Sequence, residues 1–323
     1  KQMAITQKEQ DEFKKLFSAI VDNVEKSLYG KRSVIELVLA TMISEGHVLL
    51  EDVPGTGKTA LARAIAQSIS VKTSRIQFTA DLLPSDITGV EIYNQKKEQF
   101  EFQAGPIFAS VVLADEINRA SPKTQSALLE VMEEGFVTIG NVRQPAGNPF
   151  LVIATQNPIE QAGTNPLPEA QMDRFMIKTL IGYTDSAATV QILQGTAEIA
   201  KVLSPVAKGE EILKMSAVAR AVHTNASVLR YIVDIVEETR RAQQVQFGSS
   251  VRGARNLTKL AKTWALAQGR NFITPDDVKF LAGPVLAHRI VLTTDAEFDG
   301  VRAEQIVLEC IDRIKAPAGD YSA

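Results

Sequence analysis

The segment Asp52-Val53-Pro54-Gly55-Thr56-Gly57-Lys58-Thr59 stands between the apolar run Val48-Leu49-Leu50 and a helical pattern from Ala60 to Ile69. A strand that breaks into glycines and restarts as a helix at a Gly-Lys-Thr step has few three-dimensional solutions, and the best attested is a loop wrapped around phosphate. Glycine lets backbone N–H groups approach an anion with no Cβ in the way, the helix N-terminus adds partial positive charge, and lysine neutralises phosphate oxygens. Pro54, Gly55, Thr56, Gly57, Lys58, Thr59 and Ala60 are therefore expected to hold the phosphates of ATP, with Thr59 offering its hydroxyl to Mg²⁺. Asp52 stands where the pattern has its first glycine. Aspartate tolerates a left-handed backbone, but its charge repels phosphate, so its carboxylate is expected to point away from the ligand.

The rest of the chain determines what surrounds this loop. Strands and helices alternate through Val48 to Leu50, Arg75 to Phe78, Val111 to Ala114, Leu151 to Ala154 and Phe175 to Leu180, which predicts a parallel sheet covered on both faces. Glu91 to Phe102 and Phe136 to Val142 alternate with period two around Asn94-Gln95-Lys96-Lys97 and Gly140-Asn141, and read as hairpins. Before the sheet, Phe13, Leu16, Phe17, Ile20, Val21, Val24 and Leu28 form a helical stripe with Thr6 as its N-cap. After Gly182-Tyr183 strands cease, so the fold class is α/β, an αβα phosphate-loop domain over residues 1–182 followed by an all-helical lid over residues 183–323. In the lid, one helix starts after Ser249-Ser250 and stops at Gly269, and another starts at Thr274-Pro275-Asp276-Asp277 and ends before Pro284.

With 323 residues and 45% apolar content the chain can build a large core and a second, smaller unit. A net charge of −3 offers no broad cationic field for nucleic acid or an anionic membrane. The single cysteine, Cys310, excludes an internal disulfide and fits a reducing cytoplasm, and His47, His223 and His288 are too scattered to make a zinc site alone. No apolar stretch reaches bilayer-spanning length.

Ser110-Val111-Val112-Leu113-Ala114-Asp115-Glu116 is a buried strand ending in two carboxylates. The ends of parallel strands face the ligand crevice, so Asp115 is expected to hold Mg²⁺ and Glu116 to polarise the attacking water. Asn157, after the apolar strand Leu151 to Ala154, is a candidate to orient that water. Arg174, just before the last strand, is a candidate finger for a neighbouring subunit's phosphates, with a local salt bridge to Asp173 or Glu169 as the alternative and Arg119 as a competitor. Arg252 stands in the first turn of its helix, where a cation opposes the helix dipole and asks for an anion; nucleotide phosphate reaching across from the first domain is the expected one, and Arg255 is the alternative residue. Tyr29 and Gly30 are candidates to pack the adenine ring, and Lys96-Lys97 at a hairpin tip to touch a partner.

In this order the motifs resemble those of the AAA+ ATPases, and closely the MoxR family, over nearly the whole chain. The most specific segments are Arg75 to Thr79 with Asp81-Leu82-Leu83-Pro84-Ser85-Asp86, then Asp115-Glu116-Ile117-Asn118-Arg119-Ala120, Leu167 to Phe175, and Thr274-Pro275-Asp276-Asp277-Val278. The resemblance implies the sensor 1 role for Asn157, the arginine finger for Arg174 and the sensor 2 role for Arg252. It also implies a hairpin insert at Glu91 to Phe102, a homohexameric ring, a partner with a von Willebrand factor A domain, and chaperone-like activation of enzyme complexes. A DNA-associated motor or loader is the rival, because related proteins with the same hairpin work on DNA; a nucleotide-gated scaffold with little turnover is the third reading. Val251 stands where many relatives have proline.

Overall fold

Thr6 starts the first helix. Its hydroxyl accepts from the Glu9 N–H at 3.2 Å while the Glu9 carboxylate accepts from the Thr6 N–H at 2.8 Å, satisfying two amides for which the helix has no carbonyl. A computed structural model describes residues 5–52, 55–140, 142–158, 163–195, 199 and 202–322. Helix α1 (Gln7–Glu25) buries Phe13, Phe17, Ile20, Val21 and Val24 against α2 (Arg32–Ile43). Each such side chain contributes roughly 1.5–3 kcal/mol.

There follow β1 (Val48–Glu51), α3 (Lys58–Ser68), β2 (Thr73–Gln77), α4 (Pro84–Thr88), β3 (Gly89–Asn94), β4 (Gln99–Ala104), β5 (Val111–Asp115), α5 (Pro122–Glu134), β6 (Phe136–Ile139), β7 (Val142–Pro145), β8 (Leu151–Gln156), α6 (Glu169–Met172) and β9 (Ile177–Thr179). Strands lie in the order β2-β5-β8-β1-β9, all parallel. Alternate residues divide the sheet between two cores. Val48, Leu50, Val111, Leu113, Leu151 and Ile153 join α1 to α3, whereas Leu49, Val112, Ala114, Val152 and Ala154 join Leu128 and Leu129 of α5 with Phe78 and Phe175. Both expected hairpins form, β3 with β4 and β6 with β7, each antiparallel; Asn141 lies outside the described residues.

The chain continues through α7 (Ser186–Leu193), α8 (Gly209–Arg220), α9 (Ala226–Arg241), β10 (Val245–Phe247), α10 (Val251–Ala267), α11 (Pro275–Leu286), β11 (Val291–Leu292), α12 (Thr294–Phe298) and α13 (Ala303–Arg313). Among the described residues this lid is helical except for a short antiparallel pairing of β10 with β11, which the sequence reading lacks. A second correction concerns α11, which passes through Pro284 instead of ending before it. Proline removes one helical hydrogen bond, but Val285 and Leu286 continue a fully buried stripe with Val278, Leu281 and Ala282. The lid shares the first core: Leu257, Leu260, Ala261 and Trp264 of α10 belong to the same cluster as α1 and α2, and the hydroxyls of Ser44 and Thr263 meet at 2.7 Å. Among the described residues no helix is long and apolar enough to cross a membrane.

His47 is the buried polar pin at the start of the sheet. Its Nδ1 accepts from the Val152 N–H at 2.9 Å, which leaves Nε2 to donate to the Met132 carbonyl at 3.0 Å. Burial, opposed by the Met132 bond, pushes its pKa down to about 4 from 6.5. A second proton would also break the Val152 bond. The unfolded chain thus binds a proton that the folded one refuses between these values, and stability present above pH 6.5 is lost as pH falls toward 4, by about 3 kcal/mol for this residue. The expected outcome is that the urea midpoint of the wild-type protein falls more steeply between pH 6.5 and 4.5 than that of His47→Gln. Parallel curves would contradict the assignment.

Candidate nucleotide site

The phosphate loop leaves β1 and enters α3 through two glycines that must be glycines. Gly55 and Gly57 have φ of +86° and +98°, and a Cβ on Gly57 would also stand 2.7 Å from Leu28 Cδ1. Lys58, Thr59 and Ala60 form the first turn of α3, whose N–H groups have no carbonyl partner inside the helix. Pro54 and Val53 lie outside the described residues. Asp52 is buried, and its carboxylate accepts from the Ile181 N–H at 2.5 Å and the Gly182 N–H at 3.1 Å. It ties the exit of β1 to that of β9 and so points away from the loop, because two amides offer it a partner there.

Parallel pairing brings the other strand ends to the same edge. Asp115 stands beside Gln77, and Glu51 beside Gln156. Asp115 Oδ1 accepts from the Thr155 hydroxyl at 2.6 Å and lies 3.9 Å from Lys58 Nζ, while Oδ2 accepts from Arg75 at 2.6 Å. Burial alone would raise the Asp115 pKa, but the Thr155 bond, then Arg75 and the Lys58 charge, outweigh it and hold the carboxyl below the usual aspartate range. The carboxylate is therefore ionised at neutral pH. Thr155 serves two neighbours, since its oxygen also accepts from the Glu116 N–H at 2.8 Å. Glu116 sits at φ +57°, a left-handed conformation that non-glycine residues adopt rarely. Its carboxylate accepts from Arg119 of the same chain at 2.9 Å. Asn157 directly follows β8, at the same strand-end edge as Asp115. Nearby, Leu28 meets Gly57, Gly30 has φ +73° with Ala188 3.1 Å from where its Cβ would be, and the Tyr29 hydroxyl bonds Gln191.

These donors suit a triphosphate with a divalent cation. Ammonium, helix amides and glycine backbone fit the anion, and the Thr59 hydroxyl with an ionised Asp115 supplies the hard oxygens that Mg²⁺ prefers.

Arg174 and Arg252 are not part of this cluster. Arg174 precedes β9, whose first residue pairs with Val48, the first of β1, so it lies at the opposite end of the strands, about 13 Å of strand away from the loop. There Glu133 meets both arginines: Oε1 accepts from Arg252 at 2.6 Å, and Oε2 makes an ion pair with Arg174 at 3.3 Å. Arg252 also reaches Asp173 at 3.4 Å, and Asp173 in turn meets Arg289 at 2.8 Å. The salt bridge of Arg174 goes to Glu133, not to Asp173 or Glu169, and the anions that face Arg252 here are the carboxylates of Glu133 and Asp173. The reason is topological: residues before and after a strand stand at opposite edges of a parallel sheet. Thr155, Arg75 and Glu133 were not among the candidates. The first two lie inside segments that carried the motif, but only strand register shows that they meet Asp115. Lys97 at the hairpin tip pairs with Glu101 at 2.6 Å.

Comparison with known proteins agrees with this geometry. The family model described as "ATPase family associated with various cellular activities (AAA)" matches residues 47–177, and that of the AAA lid domain matches residues 237–310. An uncharacterized Bacillus subtilis (strain 168) protein, YeaC, is 46% identical, covering 95% of this chain and 97% of its own. Chaperone MoxR1 of Mycobacterium tuberculosis is 39% identical over 91% of this chain and 80% of its own, and protein MoxR of Paracoccus denitrificans 31% identical over 88% and 90%. A crystal structure of a presumed ATPase from Cytophaga hutchinsonii superposes with a TM-score of 0.89 at 37% identity, over 96% of this chain and 97% of that one. A phosphate loop facing an ionised strand-end aspartate, on a parallel sheet with a helical lid, and relatives of this length and likeness lead to one assignment: the chain belongs to the MoxR family of AAA+ ATPases.

Proposed function

We propose that the chain hydrolyses ATP as a Mg²⁺-dependent subunit of a ring, hexameric by family habit, and that the cycle drives chaperone-like maturation or activation of partner complexes. The observation that supports catalysis is the approach of Lys58 Nζ to Asp115 Oδ1 at 3.9 Å, beside the first turn of α3. Residues 1–182 form the nucleotide-binding domain in this reading and 183–323 the lid. Lys58 and the loop amides bind the β- and γ-phosphates; Tyr29 and Gly30 border the adenine. Mg²⁺, held by Thr59 and Asp115, would neutralise charge on the phosphate oxygens. Glu116 takes the proton of the attacking water and must first leave Arg119, while Asn157 orients that water.

Arg174 and Arg252 then have one productive use. They stand at the edge of the sheet away from the chain's own loop, so they serve the loop of the next protomer around the ring. The lid contributes Arg252 to that neighbour, which links lid angle to hydrolysis next door. The name of Chaperone MoxR1 supports the chaperone-like role, and a von Willebrand factor A domain protein is the partner class we propose.

Lys58→Ala is expected to weaken nucleotide binding by about 10-fold or more, the worth of one charge-assisted hydrogen bond, in a fluorescent-nucleotide titration. Glu116→Gln is expected to keep that affinity and lose on the order of 100-fold in phosphate release. Wild-type turnover by Glu116→Gln would remove the assigned base. Stimulation of phosphate release by a von Willebrand A protein, and not by single-stranded DNA, is the outcome expected for the partner; the reverse would favour a DNA motor.

A further inference from the structure

Glu133 and Arg252 are each placed against their own helix. Glu133 is the penultimate residue of α5, where the helix end is negative, and Arg252 is the second residue of α10, where it is positive. Each placement is unfavourable in isolation, because the charge opposes the helix dipole. They meet at 2.6 Å, and the other oxygen of Glu133 takes Arg174 at 3.3 Å. The series continues through Asp173 to Arg289, whose side chain is only 1% exposed and donates to the carbonyls of Asp173 and Phe175. Cations and carboxylates thus alternate from a buried anchor to a half-exposed edge: Arg289, Asp173, Arg252, Glu133, Arg174. Burial holds the Arg289 pKa down to about 10, against the opposing charge of Asp173, so it remains a cation at neutral pH.

We infer that Glu133 is a positioning residue for hydrolysis in the neighbouring protomer, holding Arg174 and Arg252 side by side as a preformed pair. This rests on the reading that these two arginines act across the ring interface. Two guanidinium groups repel each other, and each side chain carries considerable rotamer freedom. A carboxylate with one oxygen for each removes both obstacles before the neighbour's phosphates arrive. Asp173, fixed by Arg289, restrains Arg252 from its other side. Glu133 itself touches no phosphate.

The test uses full-length variants and mixed assemblies. Glu133→Gln is expected to fold normally, with a nearly unchanged melting temperature because relief of a carboxylate at a helix C-terminus offsets the loss of two half-exposed ion pairs, and to bind nucleotide like the wild type. Its kcat is expected to fall about 10-fold or more with little change in KM, since misplacement of a reacting group by about 1 Å can cost 100-fold. Glu133→Asp should recover part of the loss. Mixing Glu133→Gln with Lys58→Ala subunits should restore phosphate release, because the second variant lends intact arginines to the intact loop of the first. The mixture of Arg174→Ala with Lys58→Ala is the control, and its failure to recover would overturn the cross-interface reading itself. If that control recovers, wild-type or raised kcat in Glu133→Gln, or a loss that Lys58→Ala subunits do not rescue, overturns the role of Glu133 alone.

Discussion

The buried bond from the Thr155 hydroxyl to Asp115 Oδ1, 2.6 Å long, is the interaction around which the nucleotide site is built. A hydrogen bond to an ionised group is worth roughly 1.5–3 kcal/mol, and here it also settles geometry. The same oxygen receives the Glu116 N–H, so one hydroxyl on β8 orients both carboxylate residues that end β5. Parallel register makes this possible, since it aligns the carboxyl ends of β1, β5 and β8 at one edge. Lys58 completes the arrangement from the neighbouring helix. Without Thr155, Asp115 would remain a buried carboxylate answered by Arg75 and Lys58 alone.

The other edge of the sheet is organised by charge rather than by loop geometry. Its arginines and carboxylates come from the end of α5, the segment before β9, the start of α10 and the turn after α11. Both halves of the molecule therefore contribute to one cluster, and the lid cannot rotate without disturbing it. The shared core of α1, α2 and α10 sets the same constraint in apolar terms. The two ends of the strands of one sheet therefore carry different chemistry.

Local signals carried far in this chain. The Thr6 and Thr274 caps, the start of α10 after Ser250, the stop at Gly269 and both hairpins are visible in the sequence because each depends on residues within one or two turns of each other. The end of α11 was not legible, since burial of Val285 and Leu286 by distant helices overrides what proline does locally. The pairing of β10 with β11 was missed for a related reason: strands this short, with partners such as Val245 and Leu292 far apart in sequence, acquire their identity only from each other.

The amino-acid sequence by itself determined the phosphate loop, the strand-end carboxylates and the αβα order, because backbone freedom at glycine, helix polarity and apolar periodicity are properties of neighbouring residues. It also named Arg174 and Arg252 as cations of interest. Tertiary structure alone decided which edge they occupy, that the amides of Ile181 and Gly182 are what the Asp52 carboxylate turns to, and that Thr155, Arg75 and Glu133 complete the two clusters. Those outcomes depend on strand order and register, which bring together residues tens to more than a hundred positions apart, and no local pattern encodes a distance of that kind.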